Sequence, residues 1–307
     1  MTVPLVYVVV LNWNRREDTI ECLDSVGRMS YPHFKVLLVD NGSTDGSVEA
    51  VRAQFPGVEI LASRTNLGYA AGCNLGMRYA LDEGAEYVLL LNNDTVVDPS
   101  TLDTVVAVAE EVPRAGMLSP AVYQYEDPSR VWPAAGHWRR LTLSAIPFRN
   151  GGRRGSGGRP QEADYVLGCA LLMKRRLLED VGLFDPRFFL YYEDYDLCRR
   201  AHAEGYKLLY VPQARIAHKV SGSAGQNTPL QRYYLAKGRV HFLAKHTRGI
   251  HRCFMVLYGL SLALRWTGAA WLQGRSEVVR PFLQGLYDGL WEIRNKKSLP
   301  AAAWRDR

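Results

Sequence analysis

The first hundred residues alternate between short apolar runs and stretches with helical periodicity. Apolar runs cover residues 5–11, 34–39 and 86–91, and each is bounded by polar or turn-forming residues, which is typical of strands buried on both faces. Between the first two runs, residues 16–27 show a helical pattern with an acidic first turn. Strands that alternate with helices in this way predict an α/β fold, in which a mostly parallel sheet is flanked by helices through right-handed crossovers.

Polar side chains follow these strands at the point where each strand ends. The carboxyl ends of parallel strands meet at one edge of a sheet, and open α/β sheets bind their ligands at that edge. One such turn is ordinary loop chemistry, but four in succession indicate a nucleotide site, with the last group where a phosphate-bound metal would lie. The residues are Asn12, Asp40, Asn66, Asn92, Asn93 and Asp94.

The glycine-spaced loop over residues 66–74 enters a helix and precedes the apolar run of 86–91. It does not carry the G-x-G-x-x-G spacing of dinucleotide-binding proteins, and the chain has no G-x-x-x-x-G-K-[ST] phosphate loop. The sequence therefore disfavours both of those nucleotide-binding classes.

Several ordered motifs resemble those of the family 2 glycosyltransferases, which are nucleotide-sugar enzymes with a GT-A fold. The motifs are VDNGSTD (39–45), NLGYAAGCN (66–74), NND (92–94), GCA (168–170), GLFD (182–185) and YYEDYDL (191–197), in the style of the rhamnosyltransferase branch. The resemblance covers roughly residues 3–222. It implies a GT-A nucleotide-sugar domain over 1–222, followed by a basic helical region over 223–307.

The resemblance places the base of the donor nucleotide at Asp40. A carboxylate there can accept a hydrogen bond from the ring imide N–H of uracil or thymine, which favours a dTDP- or UDP-sugar. A turn carboxylate that serves the following helix is the alternative role, and both roles can hold at once. Asn12, Asn66, Gly68 and Asn74 are expected to line the nucleotide and sugar, with the glycine allowing close backbone approach.

A sugar-diphosphate leaving group develops negative charge, which a divalent cation with oxygen ligands can neutralise. The resemblance implies Mg²⁺ or Mn²⁺ held by Asp94, with His218 assisting at the metal or the diphosphate, although a single histidine at a strand end is more often structural. The family motif has two carboxylates, and here Asn92 and Asn93 replace its first part. Because amides bind a ribose or a metal-bound water better than the metal, weak metal binding is expected in the free enzyme.

Three acids, Glu193, Asp194 and Asp196, open a predicted helix that runs to about Glu204 and ends at Gly205. Carboxylates in a first turn are ordinarily stabilised by the helix dipole. Here mutual repulsion and partial burial behind an aromatic segment would raise at least one pKa, as a general base requires. By resemblance, Asp194 is the base for the acceptor hydroxyl, Glu193 or Asp196 orients it or the acceptor, and the transfer is a single displacement with inversion.

The remaining segments concern the acceptor and the membrane. Trp132 and Trp138 either stack on a sugar or lipid acceptor or simply pack against the protein. The basic, glycine-rich segment 149–160 is either a lid over the diphosphate or a linker. Helical patterns follow over 231–246 and 253–272, and the second is compatible with a packed or dimerising helix, an interfacial membrane helix or a true span.

Composition adds a compartment and further constraints on partners. Five scattered cysteines without C-x-x-C spacing indicate a reducing, cytosolic compartment, and the N-terminal residues predict no signal peptide. The net charge of +7 is uneven, because residues 214–307 carry 16 Lys and Arg against 4 Asp and Glu, a balance of +12. A basic tail beside an apolar helix suits an anionic membrane surface, and no nucleic-acid-binding module is recognisable.

The sequence thus predicts an inverting, metal-dependent glycosyltransferase. It would move a sugar, with L-rhamnose as one option, from a dTDP- or UDP-sugar to a hydroxyl of a glycan or lipid-linked acceptor at the cytoplasmic face of the membrane, and a homodimer is left open. One alternative is a sugar-1-phosphate nucleotidyltransferase, whose basic glycine-rich N-terminal loop has no counterpart around Asn12. The other is a non-catalytic sugar-nucleotide or glycan-binding protein.

Overall fold

The structure, a computed structural model, describes residues 3–148, 158–219 and 228–295. In this part of the chain the strands form one large sheet and one small sheet. The strands are β1 (Val6–Asn12), β2 (Phe34–Asp40), β3 (Glu59–Ala62), β4 (Tyr87–Asn92), β5 (Thr95–Val97), β6 (Ala115–Gln124), β7 (Val131–Trp132), β8 (Ala135–Trp138), β9 (Ala145–Pro147), β10 (Gln161–Ala163), β11 (Tyr165–Val166), β12 (Ala170–Lys174) and β13 (Lys207–His218).

Helices alternate with these strands in the first part of the chain and follow one another at its end. They are α1 (Arg16–Gly27), α2 (Ser47–Gln54), α3 (Tyr69–Asp82), α4 (Thr101–Glu111), α5 (Arg175–Val181), α6 (Glu193–Ala203), α7 (Pro229–His246), α8 (Gly249–Leu272) and α9 (Ser276–Asn295).

The large sheet has the strand order β10-β13-β6-β12-β4-β1-β2-β3. Strands β4, β1, β2 and β3 are parallel, which places their carboxyl ends along one edge. Strand β12 runs antiparallel between β4 and β6, and β5 pairs antiparallel with the end of β13. The small sheet has the order β11-β8-β9 and contains the irregular segment that follows β7.

The core lies on both faces of the large sheet, because its central strands are apolar at every position. Along β1, Val8 faces the cluster that contains α1 and α4, whereas Val9 faces the cluster that contains α3, α5 and α6. Both side chains are fully buried. The molecule therefore has three layers, helix, sheet and helix, and burial of apolar area on both faces stabilises it.

The predicted α/β fold is confirmed, and several predicted boundaries agree closely. Helix α1 spans the predicted 16–27, and α6 ends just before Gly205, whose φ of +73° is the left-handed conformation that closes a helix. The sheet is less parallel than the alternation of elements indicated, because of the reversal at β12. Apolar runs record burial but not strand direction, so the reversal left no signal in the pattern.

The last three helices are joined to the α/β part of the chain through α7. The ring of Phe189 stacks on Tyr234 of α7 with centroids 4.8 Å apart. Gly285 lets α9 approach α7, since a Cβ on this residue would lie 2.2 Å from the carbonyl oxygen of Tyr233. Within the described residues, α8 is the one helix that is long and apolar enough to cross a membrane.

Candidate functional site

The carboxyl ends of β1, β2 and β4 lie side by side, with Asn12 paired to Asp40 and Leu11 paired to Asn92. The Asn12 amide joins the neighbouring turns. Its Nδ2 donates to Asp40 Oδ1 over 2.9 Å, and its Oδ1 accepts from Asn93 Nδ2 over 2.8 Å. The structure therefore brings Asn12, Asp40, Asn92 and Asn93 together at one edge of the sheet.

Asp40 lies at the buried end of this group, with 2% of its surface exposed. Its Oδ2 accepts from the backbone N–H of Ser43 over 3.0 Å, so the turn role expected for this carboxylate is present. Each carboxylate oxygen has two acceptor positions. The bonds from Ser43 and Asn12 therefore leave Asp40 with capacity for a further donor.

Asn41 ties the turn after β2 to the loop before α3. Its Nδ2 donates to Asn66 Oδ1 over 3.0 Å and to the carbonyl oxygen of Gly68 over 3.1 Å, and its Oδ1 accepts from Leu67 N over 2.9 Å. No individual role was predicted for Asn41 from the sequence, although its position directly after a strand was a usable signal. The two loops expected to hold the donor are thus connected to each other by the chain itself.

Gly68 and Asn74 both contact the segment that leads into α6. Gly68 has a φ of +87°, and a Cβ on it would lie 2.5 Å from the ring of Phe189, so the close approach of Phe189 requires glycine here. Asn74 is buried, donates from Nδ2 to the carbonyl oxygen of Phe184 over 2.8 Å and accepts from Phe184 N over 3.0 Å. The amide of Asn74 thus positions this segment, and its contact with the sugar stays a prediction.

Asp94 and His218 meet beyond the end of β4. His218 ends β13 and pairs with Thr95, which places its Nε2 3.0 Å from Asp94 Oδ1. The backbone N–H of Lys219 donates to the Asp94 carbonyl oxygen over 3.0 Å. Lys219 is itself held by Asp18 and other acids of α1, which fixes this strand end against the first helix.

The residues at this point fit a divalent cation. In the described part of the chain, Asp94 Oδ2 and His218 Nδ1 are buried and have no hydrogen-bond partner, which is costly unless a ligand completes them. Carboxylate oxygen suits Mg²⁺ and Mn²⁺, and imidazole also suits Mn²⁺. The described residues contain no group of three or more His, Cys, Asp or Glu that could hold a metal. Most ligands would therefore have to come from water and the sugar diphosphate.

Glu193 and Asp194 begin α6 in a poorly solvated position. Asp194 Oδ2 accepts from Gly168 N over 3.2 Å and Oδ1 accepts from Tyr195 N over 2.7 Å, yet burial raises the pKa of this carboxyl to about 6. Burial and the neighbouring Asp194 raise the pKa of Glu193 well above its ordinary value, and its Oε2 is buried without a partner among the described residues. Glu193 therefore keeps its proton to higher pH than an ordinary carboxyl, whereas Asp194 is mostly ionised at neutral pH, as a general base must be.

The backbone directly before these acids is strained. Tyr191 and Tyr192 have φ values of +68° and +73°, in the left-handed region that non-glycine residues rarely adopt. Strain of this kind concentrates at functional sites, where the surrounding structure has to maintain it. Here Tyr192 packs on Gly238 of α7, where a Cβ would lie 2.9 Å from the tyrosine ring.

Asp196 is paired with cationic side chains of α6 and α7. It is fully buried, and it forms ion pairs with Arg200 at 2.9 Å and with Lys245 and His246 of α7, each at 2.8 Å. Burial alone would raise the pKa of Asp196, but the hydrogen bonds from His246 and Lys245 outweigh it and lower the pKa. Both oxygens of Asp196 are therefore occupied, whereas Glu193 Oε2 has no partner among the described residues, which favours Glu193 as the acid that orients the base or the acceptor.

Tyr69 connects the carboxyl end of β4 to the loop that contacts Asp194. Its hydroxyl lies 2.9 Å from both Asn92 Oδ1 and the carbonyl oxygen of Gly168, and the N–H of Gly168 donates to Asp194. Tyr69 is buried among acids and thiols, which raises the pKa of its hydroxyl well above the ordinary value, chiefly through burial. The sequence assigned it no role, because its two partners lie 23 and 99 residues away.

An aromatic cluster surrounds Asp194 and accounts for the poor solvation of its carboxylate. Trp138 packs against Tyr195 and Tyr165 with centroids 4.8 and 4.9 Å apart. The charge of Asp194 contributes to raising the pKa of both tyrosines, after burial itself. Trp132 is half-buried against the core. The packing interpretation thus accounts for both tryptophans, and most of the loop predicted over 149–160 lies outside the described residues.

Comparisons with known proteins agree with this geometry. The profile of the family described as Glycosyl transferase family 2 matches residues 7–182. N-acetylglucosaminyl-diphospho-decaprenol L-rhamnosyltransferase of Mycobacterium tuberculosis is 32% identical over 266 residues, which cover 80% of this chain and 82% of the relative. A galactofuranosyltransferase of the same organism is 32% identical over 212 residues, which cover 65% of each chain.

Solved structures share the fold. A mannosyltransferase from Pyrobaculum calidifontis, in complex with GDP-Man and Mn²⁺, matches with a TM-score of 0.61 at 19% identity and covers 95% of this chain and 88% of its own. GalNAc-T7 with UDP, GalNAc and Mn²⁺ matches with a TM-score of 0.58 at 16% identity, covering 70% of this chain and 43% of its own. At such identities the likeness shows the fold alone, which is the GT-A fold.

Proposed function

Because this chain belongs to glycosyl transferase family 2, we propose that it transfers a hexose, with L-rhamnose as the first candidate, from a pyrimidine nucleoside-diphosphate sugar to a hydroxyl of a lipid-linked glycan. Family membership makes the chain a glycosyltransferase, which removes the nucleotidyltransferase and the non-catalytic binding protein. The name of the mycobacterial relative specifies rhamnose and a diphospho-decaprenol acceptor, and this supports the choice of both.

The position of Asp194 carries the proposal. This carboxylate is half-buried, has a pKa of about 6 and is connected by Gly168 and Tyr69 to the end of β4, where the donor diphosphate is expected. A base with such a pKa is ionised at neutral pH and still basic enough to share the proton of a hydroxyl in the transition state. A purely structural acid would instead be paired with cations, as Asp196 is.

The donor would lie along the edge formed by β1, β2 and β4. We place the pyrimidine imide N–H on Asp40, which retains acceptor capacity, and the ribose and diphosphate near Asn92 and Asn93. Asn12 and Asn66 orient this edge through their hydrogen bonds to Asp40 and Asn41. A purine lacks an imide in the same position, so this arrangement favours a pyrimidine.

The reaction we propose is a single displacement. The acceptor oxygen forms a bond to the anomeric carbon while Asp194 takes its proton, and the bond from that carbon to the diphosphate oxygen breaks, with its electron pair leaving on the nucleoside diphosphate. Attack opposite the leaving group inverts the anomeric configuration. The raised pKa of Glu193 favours its protonated form, which can donate a hydrogen bond and does not compete for the acceptor proton.

A divalent cation, Mg²⁺ or Mn²⁺, would neutralise the charge that develops on the diphosphate. Asp94 would hold it through Oδ2, which has no partner among the described residues, and His218 holds the other oxygen of the same carboxylate. With so few ligands from the protein, binding of the cation and of the donor should be mutually dependent.

We place this reaction at the cytoplasmic face of a membrane. The described structure has five free cysteines, four of them buried, which suits a reducing compartment. A lipid-linked acceptor would be presented there. The homodimer that the sequence left open stays a prediction.

The decisive experiment combines a donor panel with a base variant. Unfolding temperatures are measured with dTDP-L-rhamnose, UDP- and GDP-sugars, with and without Mg²⁺ or Mn²⁺, and nucleoside diphosphate release is followed with a polyprenyl-diphosphate-linked sugar acceptor. We expect dTDP- or UDP-sugars to stabilise the protein more with metal than without.

The base assignment is tested with Asp194→Asn. It should lower turnover by a factor of about 10² to 10⁴ and leave donor binding intact. Asp196→Asn is the matched control, which should lower the unfolding temperature with a smaller effect on turnover per folded enzyme. Preserved turnover in Asp194→Asn, or stabilisation by GDP-sugars alone, would contradict the proposal.

A further inference from the structure

Helix α9 has the opposite polarity to a helix of a water-soluble protein. Its buried face carries the acids Asp288 and Glu292, which are 0% and 5% exposed. Its outer face carries Tyr287 and Leu290, which are 58% and 61% exposed. Helices on a globular core normally turn their apolar stripe inward, so an outward stripe needs an apolar partner.

The acids hold α9 in this orientation through bonds to α7. Tyr233 donates from its hydroxyl to Asp288 Oδ2 over 2.8 Å. Lys237 and His241 lie 2.8 and 2.7 Å from the two carboxylate oxygens of Glu292. Rotating α9 to bury its leucines would break these buried pairs, which is strongly destabilising. The outward direction of the apolar stripe is therefore fixed by the fold.

Helix α8 extends the exposed apolar surface. Its exposed side chains recur every three or four residues, and they include Leu257, Leu264 and Trp271, which are 68%, 74% and 71% exposed. Trp271 also lines, with Leu283 and Tyr287 of α9, a groove of about 450 Å³, so the stripes of the two helices are continuous there. We call this surface the apolar plate, consisting of Ile250, Phe254, Leu257, Leu260, Leu264, Trp271, Leu283, Tyr287, Leu290 and Ile293.

The exposed charges of α8 and α9 are mostly positive. Residues 248–295 contain six arginines and three acids, and two of those acids are the buried Asp288 and Glu292. The outer charge is thus six arginines against Glu277. The arginines are Arg248, Arg252, Arg265, Arg275, Arg280 and Arg294. An apolar surface with cationic side chains is complementary to the interface of a bilayer that contains anionic lipids.

We propose that the apolar plate docks in the interfacial region of an anionic lipid bilayer, with α8 and α9 lying along the surface. Two copies meeting plate to plate would bring the same arginines together, which disfavours a dimer. A perpendicular span is disfavoured because Arg265 is exposed within α8. The inference rests on the proposed function only in naming the place where the lipid-linked acceptor is met.

The plate is connected to the catalytic residues through α7. This helix carries Lys237 and His241, which hold α9, and also Gly238, on which Tyr192 packs. Tyr192 immediately precedes Glu193 and Asp194, the two acids that begin α6. A bilayer under the plate would therefore have a fixed orientation relative to Asp194. This arrangement suits an acceptor whose sugar projects from a membrane-embedded lipid.

Binding is tested with the full chain, without substrates, by co-sedimentation with vesicles. We expect it to sediment with phosphatidylcholine vesicles that contain about one third phosphatidylglycerol, and weakly with phosphatidylcholine alone. Leu257→Glu/Leu264→Glu should lose at least tenfold in affinity, and Leu290→Glu/Ile293→Glu repeats the test on α9. Ile146→Glu, at an exposed apolar position of the small sheet, is the control and should bind normally.

Charge is tested separately. Arg265→Ala/Arg294→Ala should lose about fivefold in affinity per arginine, whereas Arg52→Ala/Arg78→Ala, at exposed positions of α2 and α3, should not. Cys253, the one exposed cysteine among the five, can carry a polarity-sensitive fluorophore whose emission should shift to the blue on vesicle binding. This readout requires no substitution, so it remains valid if a variant fails to fold.

Three results would overturn the proposal. The first is absence of binding to anionic vesicles, or equal binding by the Leu257→Glu/Leu264→Glu variant. The second is a dimer in sedimentation velocity that this variant dissociates, since a second copy would then cover the plate. The third is resistance to extraction at alkaline pH, which would indicate a spanning helix. Because no donor is present, failure here is distinguishable from failure of the proposed sugar transfer, which is measured as release of nucleoside diphosphate from the donor.

Discussion

The hydroxyl of Tyr69 lies 2.9 Å from the carbonyl oxygen of Gly168, and this contact joins the carboxyl end of β4 to the loop that contacts Asp194. The same hydroxyl lies 2.9 Å from Asn92 Oδ1. Gly168 in turn contacts Asp194, because its N–H donates to Asp194 Oδ2 over 3.2 Å. Tyr69 is therefore a positioning residue whose effect on catalysis should be measurable.

Replacing Tyr69 with Phe should reduce kcat about tenfold, because the Gly168 peptide is no longer fixed against Asp194. The loss of a buried hydrogen bond should also lower the free energy of unfolding by about 1–3 kcal/mol. The donor KM should hardly change, and the apparent pKa of the pH–rate profile should move. Tyr79→Phe, on the same helix, is the control. A variant with unchanged kcat and pH profile would make Tyr69 merely structural.

Replacing Asp94 with Ala should raise the concentration of Mn²⁺ needed for half-maximal activity, or eliminate activity, because the one buried carboxylate oxygen available to the metal is removed. The measurement is a metal titration at saturating donor. Asp98→Ala, at an exposed carboxylate just after β5, should titrate like the parent protein. An unchanged titration in Asp94→Ala would remove this residue from the metal site.

The pKa of about 6 for Asp194 predicts the pH dependence of the reaction. Below pH 6 the carboxylate becomes protonated and cannot accept the hydroxyl proton, so kcat/KM should fall about tenfold per pH unit. Above pH 6 it should level off. The profile is measured with metal and donor saturating, and a plateau that continues down to pH 4.5 would exclude a base with this pKa.

The same raised pKa has a consequence for stability. Since the folded state binds the Asp194 proton more tightly than the unfolded state, the contribution of this group to stability is present below about pH 4, declines up to about pH 6 and is lost above. Asp194→Asn removes the cost of a buried charge. The variant should therefore melt at a higher temperature than the parent protein at pH 8, with a smaller difference at pH 4. Calorimetry at both pH values checks this, and equal melting at pH 8 would contradict it.

Gly68 and Gly84 form a matched pair for testing the contact with Phe189. Their φ values are +87° and +86°, so alanine is strained at either position, and the ψ of 169° places Gly68 in a region that is essentially restricted to glycine. A Cβ on Gly84 has open space, whereas one on Gly68 would collide with Phe189. Gly68→Ala should therefore also lose activity, and Gly84→Ala should not. Equal specific activities of the two variants would show that the Phe189 contact is not needed.

The sequence predicted the parallel half of the sheet and the edge at which the polar residues gather. This succeeded because β1, β2 and β4 are mostly apolar and each ends in an amide or a carboxylate, a local pattern that reflects burial and marks the strand end. Helix α6 was equally readable, since acids mark its first turn and Gly205 follows its end.

The remaining features depend on partners far away in the chain. Asn74 is bonded to Phe184, 110 residues later, and Asp196 is paired with Lys245 and His246, about 50 residues later. No local pattern distinguishes a buried amide that holds a backbone from one that faces a ligand. The roles of Asp40, Asp94 and Asp194 stay predictions, although the structure connects their loops.

The paired left-handed tyrosines before α6 bear on how much of the chain is needed for activity. Their conformation persists because Tyr192 packs on α7, and α6 is held to the same helix through Asp196. A truncated protein that ends near residue 222 would keep every donor contact but lose this clamp, and the turn would relax. We therefore expect the minimal catalyst to extend through α7, and the two parts predicted from the sequence to unfold as one cooperative unit.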